Sequence, residues 1–209
     1  MAAFEAEARL TASNAVSLED LRVQFGEVGI ENGPRTGFER RTSVSSEAYL
    51  ARRFFLWKAS RRLVVFPISI FHEDKPDFRV QEGDSEYGLE VTEACESRDG
   101  AEMAKLQRSS SPHLLGDFGG RGSGGYRGNA PETEVISDIR GALERKSKKT
   151  YVGKRPTDLL IYVNSNPARV INREEHLRHV EREAFDLGAL RHAYLFWNSD
   201  RIVQIGARS

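Results

Sequence analysis

A nearly continuous apolar run at residues 158–163, Asp-Leu-Leu-Ile-Tyr-Val, is the feature that most constrains the fold of this chain. A strand of this composition is typical of the middle of a sheet that helices cover on both faces. Helical patterns precede the run at 132–150 and follow it at 172–188. The sequence therefore predicts an α/β protein in which residues 158–163 form a central, buried strand.

The remaining pattern adds further strands to this sheet. Before the insert at 109–130 we predict, in chain order, a helix at 45–62, strands at 63–71, 78–81 and 87–92, and a helix at 94–108. Two final strands are predicted at 192–197 and 202–206. This order predicts a three-layer α-β-α architecture around a central mixed sheet, although unrelated α/β proteins share the same order.

The two glycine-containing breaks in the pattern divide the chain. Residues 1–43 are predicted to form an N-terminal helical arm and linker, in which Ser17 and Asp20 have the spacing of a helix-capping box. This arm could pack on the core, join a homodimer or bind a protein partner. Residues 44–209 are predicted to form the α/β domain, with a flexible Gly-rich insert at 109–130 that holds seven of the eighteen glycines.

The 209 residues carry no net charge, but their charges are unevenly distributed. Residues 35–62 hold eight Arg or Lys and two Glu, and residues 140–155 hold seven Arg or Lys and one Glu. Residues 73–102, between them, hold eleven Asp or Glu and three Arg or Lys. Basic flanks around an acidic centre suit a metal site bordered by phosphate-binding surfaces. Two solvated helix faces would give the same distribution.

Composition also narrows the class of protein. No apolar run approaches the roughly 18–20 residues that a membrane span needs, which predicts no membrane partner. Residues 1–10 lack the basic start and apolar centre of a secretory signal. Cys95 is the single cysteine and cannot form an intrachain disulfide. We therefore expect a cytoplasmic protein.

Two carboxylates occupy adjacent predicted strands of the acidic centre. Asp77 stands at the start of the strand at 78–81, and Glu90 stands within the strand at 87–92. Side chains alternate across a strand, so Glu90 can face a cleft while Leu89 and Val91 anchor the sheet. One or two carboxylates, completed by water and substrate phosphate, are the usual protein ligands of Mg²⁺.

These residues resemble the pattern of the PD-(D/E)XK nuclease superfamily, which is Pro-Asp, a hairpin and then Glu-X-Lys. Here the matching residues are Pro76-Asp77, a polar turn at 82–85 and Glu90-Val91-Thr92. The resemblance, over residues 44–206, implies a restriction-endonuclease-like fold and metal-dependent hydrolysis of phosphodiester bonds in DNA. It also implies that Asp77, Glu90 and the backbone carbonyl of Val91 bind Mg²⁺ or Mn²⁺. The chain departs from the pattern at Thr92, which stands where the lysine is expected.

Lys146 is the candidate replacement for that lysine, since some members of the superfamily are known to supply it from a neighbouring helix. Lys146 follows Ile139 and Ala142 by seven and four residues, which places it on the buried stripe of the helix at 132–150. A buried lysine needs carboxylate partners, and Glu90 and Asp77 would provide them. Alternatively, Lys146 extends to solvent where the helix leaves the core.

Further candidates complete the predicted site. Thr92 would hydrogen-bond a water molecule, and the resemblance implies that Glu47, in the first turn of its helix, is an additional acid. Basic residues from three segments are candidates for nucleic-acid binding: Arg52, Arg53, Arg61, Arg62, Lys148, Lys149, Arg121 and Arg127. Alternatively, those on helices lie on solvated faces, and those in the glycine-rich insert belong to a plain linker.

Three functions are compatible with these residues. The first is a metal-dependent DNA nuclease that uses paired carboxylates and a helix-borne lysine. The second is a catalytically inactive domain of the same fold that binds DNA or a protein partner, which the loss of lysine after Glu90 would produce. The third is an unrelated α/β protein whose hairpin acids are only surface residues.

Overall fold

The computed structural model describes residues 10–26, 43–94, 131–149, 155–163, 173–197 and 201–206. These residues form seven strands and four helices, and none of the helices is long and apolar enough to cross a membrane. The elements, in chain order, are β1 (Ala12–Ala15), α1 (Leu18–Phe25), α2 (Ser43–Ser60), β2 (Ile68–His72), β3 (Phe78–Glu82), β4 (Ser85–Ala94), α3 (Pro131–Ser147), β5 (Thr157–Val163), α4 (Arg173–Arg182), β6 (His192–Trp197) and β7 (Arg201–Ile205).

All seven strands belong to one mixed sheet, and each strand pairs with the next strand of the chain. β1 to β4 pair antiparallel, β4, β5 and β6 pair parallel, and β7 returns antiparallel to β6. The apolar run forms β5 between β4 and β6, and all of its residues except Tyr162 are buried. The predicted α/β class with a central mixed sheet is confirmed.

Alternation along the strands divides the interior into two cores. Leu89 of β4 and Leu160 of β5 point to the face covered by α1 and α2, where Phe54 is fully buried. Leu159 and Ile161 of β5 point to the opposite face and pack with residues of α3 and α4. Glu90 pairs in register with Leu159. Its side chain therefore belongs to the α3 face of the sheet.

The N-terminal segment differs from its prediction. Residues 12–15 are not helical but form β1, an edge strand in which Ala12 pairs with Ile70 and Ala15 with Ile68. Pairing with β2 and burial of both alanines outweigh the weak helical preference of such a short segment. The predicted cap is confirmed, because Ser17 Oγ accepts a hydrogen bond of 3.1 Å from the Asp20 backbone N–H at the start of α1.

Two element boundaries were also predicted wrongly. The strand predicted at 63–71 begins only at Ile68, because Leu63 N–H bonds to the carbonyl of Lys58 and closes the end of α2. The helix predicted to reach Gly188 ends at Arg182, and Ala184 is exposed. The predicted helix at 94–108 and the insert at 109–130 lie outside the described residues, except Ala94, which is the last residue of β4.

Candidate functional site

Asp77 is held at the start of β3 by a short, braced loop. The loop closes through a hydrogen bond of 2.8 Å from the Glu73 backbone N–H to the carbonyl of Asp77. The Glu73 carboxylate pairs with Arg79 at 2.7 Å and with Arg155 at 3.1 Å. The Asp77 carboxylate in turn accepts a hydrogen bond of 2.7 Å from the Val91 backbone N–H on β4. These contacts fix the carboxylate against the strand that carries Glu90.

Burial and neighbouring charge both act on Asp77. The pKa of this carboxyl is raised to about 7, and burial is the largest cause. The Val91 hydrogen bond and the charge of Lys146 oppose the rise, and the negative charges of Glu90 and Glu47 add to it. The pKa of Glu47, at the start of α2, is also raised by burial, with opposing contributions from Lys146 and Glu90. Glu47 therefore shares an electrostatic environment with the predicted acids, as the candidate additional acid would.

Glu90 is the buried centre of the cluster, with 3% of its side chain exposed. Its Oε1 atom forms an ion pair with Lys146 Nζ, and a second ion pair of 3.1 Å with Lys149 Nζ. The side chain of Lys146 is 15% exposed, whereas that of Lys149 is 48% exposed. A carboxylate in this position would be costly without such partners, because burial strips it of water.

The lysine reaches Glu90 because α3 packs along the sheet. Val135, Ile139, Ala142 and Leu143 are buried on the sheet side of this helix, as the periodicity predicts. Lys146 continues the same stripe by one turn, at the point where the stripe passes β4. The structure therefore brings together Lys146 and Glu90, which the sequence predicts to meet.

The sequence offers Lys149 only as a candidate for nucleic-acid binding, and its contact with Glu90 is not predicted. Helical spacing does not apply to Lys149, because α3 ends at Ser147. The chain then makes a turn in which the Lys149 N–H donates a hydrogen bond of 3.1 Å to the Lys146 carbonyl. The contact with Glu90 and its charge raise the pKa of Lys149, although burial alone would lower it. No periodic signal in the sequence could have revealed this contact.

The Glu73, Arg79 and Arg155 contacts were also missed. Glu86 extends this group, since it lies 2.8 Å from Arg155 Nε and 3.7 Å from Arg79. Arg155 and Glu73 are 82 residues apart in the chain, so only the packing of β5 beside β4 brings them together. The result is a four-residue charge network that braces the loop before Asp77.

The donor groups suit a hard divalent cation. Asp77, Glu90 and the Val91 carbonyl offer only oxygen atoms, which Mg²⁺ and Mn²⁺ accept. Within the ranges that the structure describes, no group of three or more His, Cys, Asp or Glu side chains is gathered to hold a metal ion. Mg²⁺ usually takes only one or two carboxylates and retains water, so the two principal acids meet that requirement. A cation would also favour the ionised form of Asp77, which burial opposes.

The predicted phosphate-binding arginines of α2 lie in different environments. Arg52 is buried, and its guanidinium lies 5.9 Å from the centre of the Phe25 ring, so its predicted place on a nucleic-acid surface is wrong. This contact joins α2 to α1, and sequence periodicity alone does not show it. Arg53 is half-buried, and Arg61 and Arg62 are exposed. Arg61 stacks over Trp57 at 4.8 Å.

The remaining candidates fall outside the cluster or outside the described residues. Lys148 is exposed and pairs with Glu144 at 2.6 Å, one helical turn before it. Thr92 is half-buried and lies two residues after Glu90, on the same face of β4. Arg121 and Arg127 belong to the insert that the described ranges do not include.

Comparisons with models of protein families, with curated proteins and with solved structures found no match for this chain.

Proposed function

We propose that this chain is a metal-dependent nuclease that hydrolyses phosphodiester bonds in DNA. The observation that carries the proposal is the Lys146–Glu90 ion pair, with Asp77 in the loop just before the adjacent strand and coupled to both by charge. These residues come from a helix, a strand and a loop. The buried stripe of α3 ends in Lys146, which contacts Glu90. A structural ion pair alone does not require a second, half-buried acid with a raised pKa beside it.

The roles of the residues follow from their chemistry. Asp77, Glu90 and the Val91 carbonyl would hold Mg²⁺ or Mn²⁺, which when bound would lower the pKa of a water molecule and neutralise phosphate charge. Lys146, oriented by Glu90, would donate a hydrogen bond to the attacking water or to a phosphate oxygen. The Thr92 hydroxyl, on the same face of β4, would hydrogen-bond the same water.

The order of the central elements supports the finer assignment of a restriction-endonuclease-like fold. β2, β3 and β4 form an antiparallel meander, α3 follows, and β5 then pairs parallel to β4. The sequence predicts this order from its hydrophobic pattern, and the same order is the core of the nuclease-like fold. Such an order positions the acids of the β3–β4 hairpin beside α3. A lysine on that helix, here Lys146, can then reach Glu90.

A catalytically inactive domain that binds DNA or a protein is the alternative. It is favoured by Thr92 in place of the motif lysine and by the two ammonium groups that neutralise Glu90 without a metal. The two functions differ in a measurable way, since only the nuclease requires both a bound cation and cleavage.

The test combines calorimetric titration of Mn²⁺ with a plasmid-nicking assay on the wild type and matched variants. We expect the wild type to bind Mn²⁺ and nick DNA, and Asp77→Asn to lose both. Lys146→Met should keep Mn²⁺ binding and lose at least about 100-fold in nicking rate, the scale of one lost electrostatic contact in a transition state. Asp74→Asn, an exposed acid of the same loop, is the control and should resemble the wild type.

Two results would count against the proposal. Mn²⁺ binding that persists in Asp77→Asn would contradict the assignment of Asp77 and Glu90 as a paired-carboxylate metal site. Metal binding by the wild type without cleavage of either supercoiled or single-stranded DNA would favour the inactive, binding alternative.

A further inference from the structure

We infer that Lys149 couples metal binding at Glu90 to the binding of a phosphate group: it pairs with Glu90 in the cation-free protein and moves to an incoming phosphodiester. This inference rests on the proposed function and adds a regulation of the same site. Under this regulation, binding of the DNA phosphate favours binding of the metal ion, and Lys149 is the residue that couples these two ligands.

The starting point is that two ammonium groups share one carboxylate oxygen. Lys146 Nζ and Lys149 Nζ both contact Oε1 of Glu90. A single buried carboxylate carries one negative charge, so two lysines exceed what is needed to neutralise it. A divalent cation that used the same carboxylate would meet two positive charges at close range. Withdrawal of one ammonium group from Glu90 would lower this repulsion when the cation binds.

The geometry selects Lys149 as the group that withdraws. Lys146 belongs to the packed stripe of α3, and only 15% of its side chain is exposed. Lys149 lies two residues beyond the end of α3, and 48% of its side chain is exposed. Its four-carbon stem can reorient in solvent without disturbing the helix, and Lys146 can stay to act on the reacting groups.

A phosphodiester is the partner that Lys149 would then take. A lysine binds phosphate as a mobile point charge, and a phosphate bound by a cation at Asp77 and Glu90 would lie next to it. Phosphate thereby removes the charge that opposes the cation, and the cation attracts the phosphate. The two ligands should bind with positive cooperativity that is equal in both directions.

The experiment measures this coupling through binding alone. Mn²⁺ is titrated calorimetrically into the protein with and without a short DNA duplex with phosphorothioate linkages, which keep the backbone charge and resist hydrolysis. For the wild type we expect the duplex to tighten Mn²⁺ binding by roughly tenfold or more, within the usual range of coupling between two sites. Lys149→Gln should bind Mn²⁺ more tightly than the wild type without DNA, and the duplex should change its affinity by less than about twofold.

Two further variants sharpen the result. Lys149→Arg keeps the charge and should keep most of the coupling. Lys148→Gln removes a neighbouring ammonium group that pairs with Glu144 instead of Glu90. It should retain the coupling between Mn²⁺ and the duplex, even where its affinity for the duplex itself falls.

The inference is overturned if Lys149→Gln retains the coupling of the wild type, or if Lys148→Gln removes it equally, and the proposed nuclease survives either result. Absence of Mn²⁺ binding by the wild type, both with and without the duplex, would overturn the inference and the proposed function together.

Discussion

Burial gives Asp77 a titration that should appear in the stability of the protein. The pKa of its carboxyl is about 7 in the folded chain, against an ordinary value of 3.8. Between these pH values the folded state binds more protons at this site than the unfolded state does. The free energy of unfolding should therefore fall as pH rises from about 4 to about 7.

Asp77→Asn removes this contribution, and we expect its stability relative to the wild type to increase across the same pH window. The shift sets an upper bound of roughly 4 kcal/mol, at about 1.4 kcal/mol per pKa unit, and solvent near the partly exposed carboxyl reduces it. Urea unfolding at pH 4.5 and pH 8 measures the difference. A stability difference that is constant with pH would contradict the raised pKa.

Single residues also show how far sequence reasoning extends at this site. Lys146 could be predicted because helical periodicity fixes its direction once the buried stripe of α3 is recognised. Lys149 could not, because it follows the end of the helix. Arg52 was misassigned because its partner, Phe25, comes from a different helix, and no local pattern reports contacts between helices.

At the scale of elements, the hairpin of β3 and β4 depends on one glycine. The backbone of Gly88 lies so close to Pro76 that an added Cβ would clash with the proline ring, and it would lie 3.0 Å from Thr157 Oγ1. Pro76 immediately precedes Asp77. Gly88→Ala should therefore destabilise the protein by about 1–3 kcal/mol, the cost of overpacking, and weaken Mn²⁺ binding by displacing the Asp77 loop.

Gly141→Ala is the matched control for that change. An added Cβ at Gly141, within α3, meets only the end of the Arg145 side chain at 3.4 Å. Alanine favours a helix over glycine by about 1 kcal/mol, so this variant should be as stable as the wild type or more so. Thermal unfolding of both variants, with Mn²⁺ titration, tests whether the close approach of Gly88 to Pro76 holds the Asp77 loop in place. Equal stabilities for Gly88→Ala and the wild type would contradict the close approach to Pro76.

The N-terminal elements are a second case in which packing decides the structure. Leu21 of α1 is fully buried in the core that α1 shares with α2, while Val23 is 71% exposed. Leu21→Ala should cost about 2–4 kcal/mol of unfolding free energy, and Val23→Ala should change little. Urea unfolding of the two variants distinguishes a docked segment from a separate arm, for which both changes would be small.

Local signals explain the mixed success of the prediction for that region. The Ser17 cap depends on residues a few positions apart and was predicted correctly. β1 has only four residues and is defined by its pairing with β2, more than fifty positions later in the chain. The apolar run of β5 could be recognised from its composition alone, but its neighbours β4 and β6 depend on the path of the chain.

At the scale of the whole molecule, zero net charge means that any DNA binding must come from local basic surface. Arg61 and Arg62 are exposed beyond the end of α2, roughly 20 Å along that helix from Glu47. If both contact phosphates, the double variant Arg61→Ala/Arg62→Ala should reduce the slope of log K against log salt by about 2.

Arg22→Ala is the control for this measurement, because Arg22 is exposed on α1 and pairs with Glu19 at 3.3 Å. Its salt slope should equal that of the wild type. Fluorescence anisotropy with a labelled duplex at several salt concentrations gives the slopes. An unchanged slope in the double variant would show that Arg61 and Arg62 do not contact DNA phosphates.

Because the strands of the sheet follow their order in the chain, a ribosome delivers each strand next to a partner that has already emerged. Assembly during synthesis can therefore proceed from the N-terminal edge without waiting for distant segments. Glu90 nevertheless precedes Lys146 by 56 residues, which corresponds to roughly 3–11 s of synthesis. During that interval Glu90 lacks its partners Lys146 and Lys149. The nascent chain therefore cannot complete this cluster before α3 has left the exit tunnel.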